Sequence, residues 1–299
     1  MEIRVLRYFL AIAREESITG AAARLHITQP TLSRQIKDLE DQLGQKLFLR
    51  EKHRMTLTAE GMLLRKRAEE ILDLVDKTEA EFSAMEESVS GSIYIGSGET
   101  DAMRLIADVI RDLQETFPSI HFHLYSGNAE DVTEKLDKGL LDFGILIEPA
   151  DLSKYSFIRL PVSDTWGVVM RKDSPLAQKE QIRKEDLLSL PLICSRQVIT
   201  KDLSDNPFAQ WFGEDFGKLN ITATYNLFYN AAVMTRAGAG YAVTLDKLAD
   251  TSESSELCFR PLYPRLEAGL NIVWKKYQVF SSAAQLFLER LQDRFGEAL

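Results

Sequence analysis

The chain has 299 residues, enough for two or three compact units that each bury a core. Its net charge of -9 is the reverse of a generally basic nucleic-acid binder, so any contact with nucleic acid has to be local. No apolar run of about 18 residues appears and charges are scattered through the N-terminal MEIRVLRYFLAIAREES, a pattern that argues against a membrane span or secretory signal and predicts a cytoplasmic protein. The charge is also unevenly placed: residues 1–58 hold ten Lys or Arg against seven Asp or Glu, whereas the remainder holds 26 against 38. A mildly basic head on an acidic body lets phosphate attraction act at one end only.

Residues 17–58, SITGAAARLHITQPTLSRQIKDLEDQLGQKLFLREKHRMTLT, predict two short amphipathic helices joined by a tight turn, followed by a basic hairpin. Ala21, Ala22 and Leu25 share a face of the first helix, where small side chains let the next helix cross closely. Thr28 can cap the second helix, and Pro30 falls in its first turn, where a missing N–H costs nothing. Leu32, Ile36, Leu39 and Leu43 form one stripe, expected to be buried. The other face carries Pro30, Ser33, Arg34 and Lys37, with Gln29 and Thr31 leading, side chains suited to base edges and phosphates.

Extended from Met1 to Gly61, this block resembles the winged helix-turn-helix of LysR-type transcriptional regulators. The resemblance is carried by AAARLHITQPTLSRQIKDLEDQLGQKLF and the following LTAEG. It implies that the second helix lies in the major groove of double-stranded DNA, with contact by Gln29, Pro30, Thr31, Ser33, Arg34 and Lys37. The wing would add Arg50, Lys52, His53 and Arg54. Lys37, Lys52 and His53 are also compatible with plain solvated surface.

Between Ala59 and Val89 a long charged helix is expected, with Leu64, Ala68, Ile71, Val75, Thr78, Phe82, Met85 and Val89 at steps of four and three. Such an a/d stripe favours a partner helix, hence a homodimer presenting two recognition helices; an intramolecular groove would suit the same stripe. Ser90, Gly91 and Ser92 are then expected to end the helix and form a linker.

From Ser92 onward short apolar strands alternate with helices, an α/β signature with parallel strands, which restarts after Pro161. Together with the resemblance, this implies an α/β organisation with an all-α winged helix-turn-helix domain at 1–58, a dimerisation linker helix at 59–89, and an effector-binding domain at 92–299. The resemblance further implies that this last domain has two subdomains like those of periplasmic solute-binding proteins. Residues 92–161 with 267–299 would form the first and 162–266 the second, joined by two crossing strands near residues 160 and 267, with a ligand cleft between. It also implies that dimers pair into tetramers.

Ligands of open α/β sheets bind outside the carboxyl ends of strands, next to helix N-termini. That rule selects Ser97, Gly98, Glu99 and Thr100 after one strand and Ser126, Gly127 and Asn128 after the next. In the second subdomain it selects Ser195, Arg196 and Gln197, then Asn226 and Phe228. Helix capping would use Ser97, Thr100, Asn128 and Asn226 equally well. Glu99 at such a mouth would repel carboxylate effectors, unless it only stabilises a helix dipole from outside.

His121 and His123 alternate along a strand, but two imidazoles without further ligands read as surface rather than metal site. Cys194 and Cys258 stand 64 positions apart with no CxxC spacing, which suits a reducing compartment and argues against zinc. No GxSxG, Walker, HExxH or dinucleotide fingerprint is present, so an enzyme, a cofactor and a metal are not expected. A solute-binding receptor would fit residues 92–299 alone, but not the block at 1–58.

Overall fold

A computed structural model describes residues 1–50, 54–83, 90–200 and 206–296. It divides into two compact units, Met1–Ser83 and Ala84–Leu299.

In the first unit, α1 (Ile3–Glu15), α2 (Ile18–Arg24) and α3 (Gln29–Leu43) precede a hairpin of β1 (Phe48–Arg50) and β2 (Met55–Leu57) and the long α4 (Ala59–Ser83). Ser17 caps α2 by accepting the Gly20 N–H at 3.1 Å, and Thr28 caps α3 by accepting that of Thr31 at 3.4 Å. One core joins Val5, Leu6, Phe9 and Ile12 of α1 with Ala21, Ala22, Leu32, Ile36 and Leu39, and extends through Leu47 and Phe48 to the hairpin. The α3 stripe is one residue shorter than expected. Leu43 is 41% exposed, because α3 stops there and Gly44, at φ 67°, turns the chain away while Leu47 closes that end of the core.

The start of α4 is fixed by Thr58, whose hydroxyl accepts the Gly61 N–H at 2.9 Å and donates to the Lys46 carbonyl at 2.7 Å. A Cβ on Gly61 would lie 2.2 Å from the Leu47 carbonyl oxygen, so only glycine lets helix and hairpin approach this closely. Ala68 and Leu72 of α4 are buried in the unit's own core, with Leu64 and Ile71 packed against it. The first half of the a/d stripe thus packs within the chain, and Thr78 is exposed. Met85 and Val89, with the expected helical segment 84–89, lie outside the described residues. The expected linker is partly strand: Gly91 and Ser92 already pair with Ile120 and His121.

The second unit is a nine-stranded sheet flanked by helices. Its order is β4 (Ile120–Ser126), β3 (Gly91–Ser97), β5 (Phe143–Ile147), β11 (Glu267–Lys275), β6 (Tyr155–Arg171), β9 (Tyr241–Leu245), β7 (Leu192–Ser195) and β8 (Ile221–Tyr225), with β10 (Leu257–Pro261) also on β6. The outer pairs β3–β4, β3–β5, β7–β8 and β7–β9 are parallel as expected, but every pairing of β6 and β11 is antiparallel. These two strands join the halves. Tyr155–Thr165 of β6 pairs with β11, and from Trp166 onward β6 pairs with β9 and β10. Helices α5 (Met103–Thr116), α6 (Ala129–Asp137) and α10 (Ser282–Phe295) cover the half around β3. The half around β7 holds the short helix α7 (Arg196–Thr200), then α8 (Pro207–Phe212) and α9 (Phe228–Arg236).

Candidate nucleic-acid interface and ligand cleft

Helix α3 leaves Gln29, Pro30, Thr31, Arg34 and Lys37 exposed and Ser33 half-buried. The Thr31 hydroxyl lies 2.8 Å from that of Thr28, so it belongs to the cap as well as to the outer face. Arg34 and Lys37 form no ion pair among the described residues. Glu40, on the inner side of the same helix, is a structural residue that periodicity does not mark. It is 5% exposed and accepts from Lys46 Nζ at 2.8 Å, Leu47 N at 2.9 Å and Phe48 N at 3.4 Å, which ties α3 to the hairpin. Burial raises its carboxyl, but the Lys46 ammonium and the two N–H groups outweigh that and hold it below the usual range.

Of the four basic wing residues, Lys52 and His53 lie outside the described residues, and for Arg50 only the backbone, in β1, is described. Arg54 is exposed and ion-paired within the unit. Its guanidinium forks onto Glu16 at 2.5 and 2.8 Å, pinning the hairpin to the α1–α2 junction, where the Met55 N–H also bonds the Glu16 carbonyl at 2.8 Å.

A cleft opens at the strand ends between the halves of the second unit. Gly98, Glu99, Gly127, Asn128, Ser195, Gln197, Asn226 and Phe228 line it. Ser97, Thr100, Ser126 and Arg196 are not among its lining residues. The Ser97 hydroxyl donates to the Gly98 carbonyl at 2.6 Å, while Ser126 and Arg196 are exposed to solvent. Thr100 is 8% exposed; its hydroxyl accepts from Ala102 N at 3.0 Å and donates to Asp164 at 2.6 Å, so it stays in the protein interior. Burial pushes the Asp164 carboxyl up; the Thr100 bond opposes this and Asp246 adds to it.

Sequence reasoning missed the remaining lining residues: Ile147, Glu148, Pro149, Trp166, Val198, Asn206, Pro207, Phe208, Tyr225, Thr244, Leu245, Leu248 and Glu267. The strand-end rule applied to β5 and β9 reaches Glu148 and Leu245. Trp166 and Glu267 stand where the chain crosses between halves, which no local pattern marks.

Asn128 caps α6, accepting the Asp131 N–H at 2.9 Å while Asp131 accepts its own N–H at 3.2 Å. Asn226 accepts only from its neighbour Leu227, so α9 begins without a side-chain cap from its own segment. Glu99 fills that place from the other half: its carboxylate accepts the backbone N–H of Phe228, the first residue of α9. Two further carboxylates are held by cations, Glu148 by Arg159 at 3.4 Å and Glu267 by Arg265 at 2.9 Å. The Tyr225 hydroxyl donates to the Val243 carbonyl at 2.8 Å, and burial raises its pKa strongly.

Among the described residues no group of His, Cys, Asp and Glu could hold a metal. His121 lies 3.2 Å from the Ser119 carbonyl, and His123 stacks on Tyr94 at 4.6 Å. Cys194 and Cys258 are buried; burial alone pushes the Cys194 thiol up to about 12 and also raises that of Cys258, against Arg260 and Lys172.

Residues 3–62 match the family model described as a bacterial regulatory helix-turn-helix protein of the lysR family, and residues 86–296 match the LysR substrate binding domain. The chain belongs to the LysR family of transcriptional regulators. It is thus a DNA-binding regulator with an effector-binding domain, and not an enzyme. The regulator BsdA of Bacillus subtilis is 33% identical over 222 residues, 74% of each chain. A hydrogen peroxide-inducible genes activator of Pectobacterium carotovorum is 32% identical over 194 residues, 64% of each. In structure, full-length CbnR complexed with its target DNA superposes with a TM-score of 0.76 over 98% of this chain and 99% of that one, at 20% identity. No helix among the described residues is long and apolar enough to cross a membrane.

Proposed function

We propose that this LysR-family regulator reads a specific operator with α3 and changes that reading when a small molecule enters the cleft at 98–267. Gln29, Pro30, Thr31, Ser33, Arg34 and Lys37 approach base edges and phosphates, and Arg50, Lys52 and His53 of the wing reach the flanking backbone. Arg54 joins them at the wing and also holds it through Glu16. The observation that carries the ligand reading is the cleft itself. It is lined by aromatic walls and a few converging polar groups from both halves, so an occupant touches both at once.

Dimers form along α4, where Leu63 and Leu74 stay exposed on a helix whose opposite side is spent on its own unit. Two such dimers make the tetramer, and the protein works in the cytoplasm. Peroxide sensing, suggested by the Pectobacterium relative, is disfavoured because both thiols are buried and pushed away from the reactive thiolate.

Footprinting on the DNA that flanks its own gene, with and without fractionated metabolite extract, tests the proposal. A protected site whose extent or affinity depends on one fraction is the expected result. Protection indifferent to every fraction would remove the effector role from the cleft.

A further inference from the structure

The charge inventory of the cleft is one-sided among the described residues. Glu99, Glu148 and Glu267 line it, and among the described residues no lining residue is Lys or Arg. Arg159 and Arg265 balance the last two. Glu99 forms no ion pair among the described residues; its partner is the Phe228 N–H that opens the nine-residue helix α9. A helix start of this kind attracts anions, yet here a carboxylate of the chain itself occupies it. Around it the walls are apolar: Ile147, Trp166, Phe208, Phe228 and Leu245.

We propose that Glu99 makes the cleft selective for amines: the effector carries an ammonium that bonds the Glu99 carboxylate and an apolar body that lies along Trp166, Phe208 and Phe228. This rests on the cleft being the effector site. A carboxylate effector finds the helix start filled, and the group that fills it repels the newcomer. An ammonium meets neither obstacle. A carboxylate accepts up to about four hydrogen bonds, so its seat on Phe228 leaves capacity for a charged donor, and aromatic faces attract the same cation. Glu99 leaves the end of β3 whereas Phe228 begins α9, so an ammonium drawn to Glu99 acts on a bond that joins the two halves.

Calorimetric titration of the full-length chain against matched series tests this: phenethylamine, phenylpropionate and phenethyl alcohol, then hexylamine, hexanoate and hexanol. The amines are expected to bind and the carboxylates to fail. Glu99→Gln should lose about tenfold or more in amine affinity, and Glu99→Thr should gain the carboxylates. Circular dichroism and operator binding of each variant check that it folds. Carboxylates that bind the parent better than amines, an amine affinity unchanged in Glu99→Gln, or binding of neither series would each overturn the proposal. If amines fail while a metabolite fraction still alters the footprint, the amine assignment falls and the effector cleft stands. If no fraction alters it, both fall.

Discussion

Arg34 stands on the exposed side of α3, without an ion-pair partner among the described residues, on a helix whose inner side is locked by Leu32, Ile36 and Leu39. An outward guanidinium held on a rigid helix can bridge guanine O6 and N7. Arg34→Ala is expected to cost about 1 to 3 kcal/mol of discrimination per half-site while the unfolding curve stays unchanged. Competition between operator and random DNA at fixed salt measures it, and an equal specificity ratio would take Arg34 off the base edges. Glu40 has the opposite character, buried and structural. Removing its carboxylate in Glu40→Ala leaves the N–H groups of Leu47 and Phe48 without their acceptor and should destabilise the first unit by about 1 to 3 kcal/mol. Since its folded carboxyl lies below the ordinary value for a glutamate, the stabilisation is fully present above that ordinary value and fades as pH falls through the folded one. Thermal unfolding of parent and variant should therefore differ at neutral pH and converge in acid. A gap that widens in acid would contradict the ion-paired carboxylate.

At the scale of elements, α4 shows how one amphipathic helix divides its surface. A stripe at four-and-three spacing is compatible with a partner helix or with the helix's own domain, and the first half of this one goes to the domain through Leu64, Ala68 and Ile71. What remains exposed includes Leu63, 61% accessible, and Leu74, 43% accessible. The informative substitution is consequently Leu74→Asp, on the exposed side, rather than a change at half-buried Val75. Sedimentation at low micromolar concentration should show Leu74→Asp shifted toward monomer with the melting of the first unit preserved. The parental oligomer, unmoved, would place the subunit contact elsewhere.

For the molecule as a whole, two compact units with separate cores are expected to melt as separable transitions. A ligand in the cleft belongs to the unit Ala84–Leu299 alone. At about 100 times its Kd it should stabilise that transition by about 2.7 kcal/mol and leave the Met1–Ser83 transition in place. Scanning calorimetry with the fraction that alters the footprint reads this directly. Equal shifts of both transitions would mean that the units unfold as one.

What the sequence determined by itself was whatever local spacing dictates. The cap at Thr28, the stripe Leu32–Ile36–Leu39, the alternation of strands and helices and the polar outer face of α3 follow from periods of 3.6 and 2.0 and from capping chemistry, which neighbours in sequence suffice to express. The strand-end rule likewise found eight cleft residues, because a strand's carboxyl end is visible in the chain. Contacts between distant segments were left to the tertiary structure. Glu40 meets Leu47 across a turn, Arg54 reaches back to Glu16, and Trp166 and Glu267 enter the cleft only because β6 and β11 cross between halves. Glu99 is the sharpest case. Its sequence context allows repulsion of a ligand or stabilisation of a helix end, and its partner, Phe228, lies 129 residues away. A hydrogen bond depends on where two atoms meet, and only the folding of β3 and α9 against one cleft brings that carboxylate to that N–H.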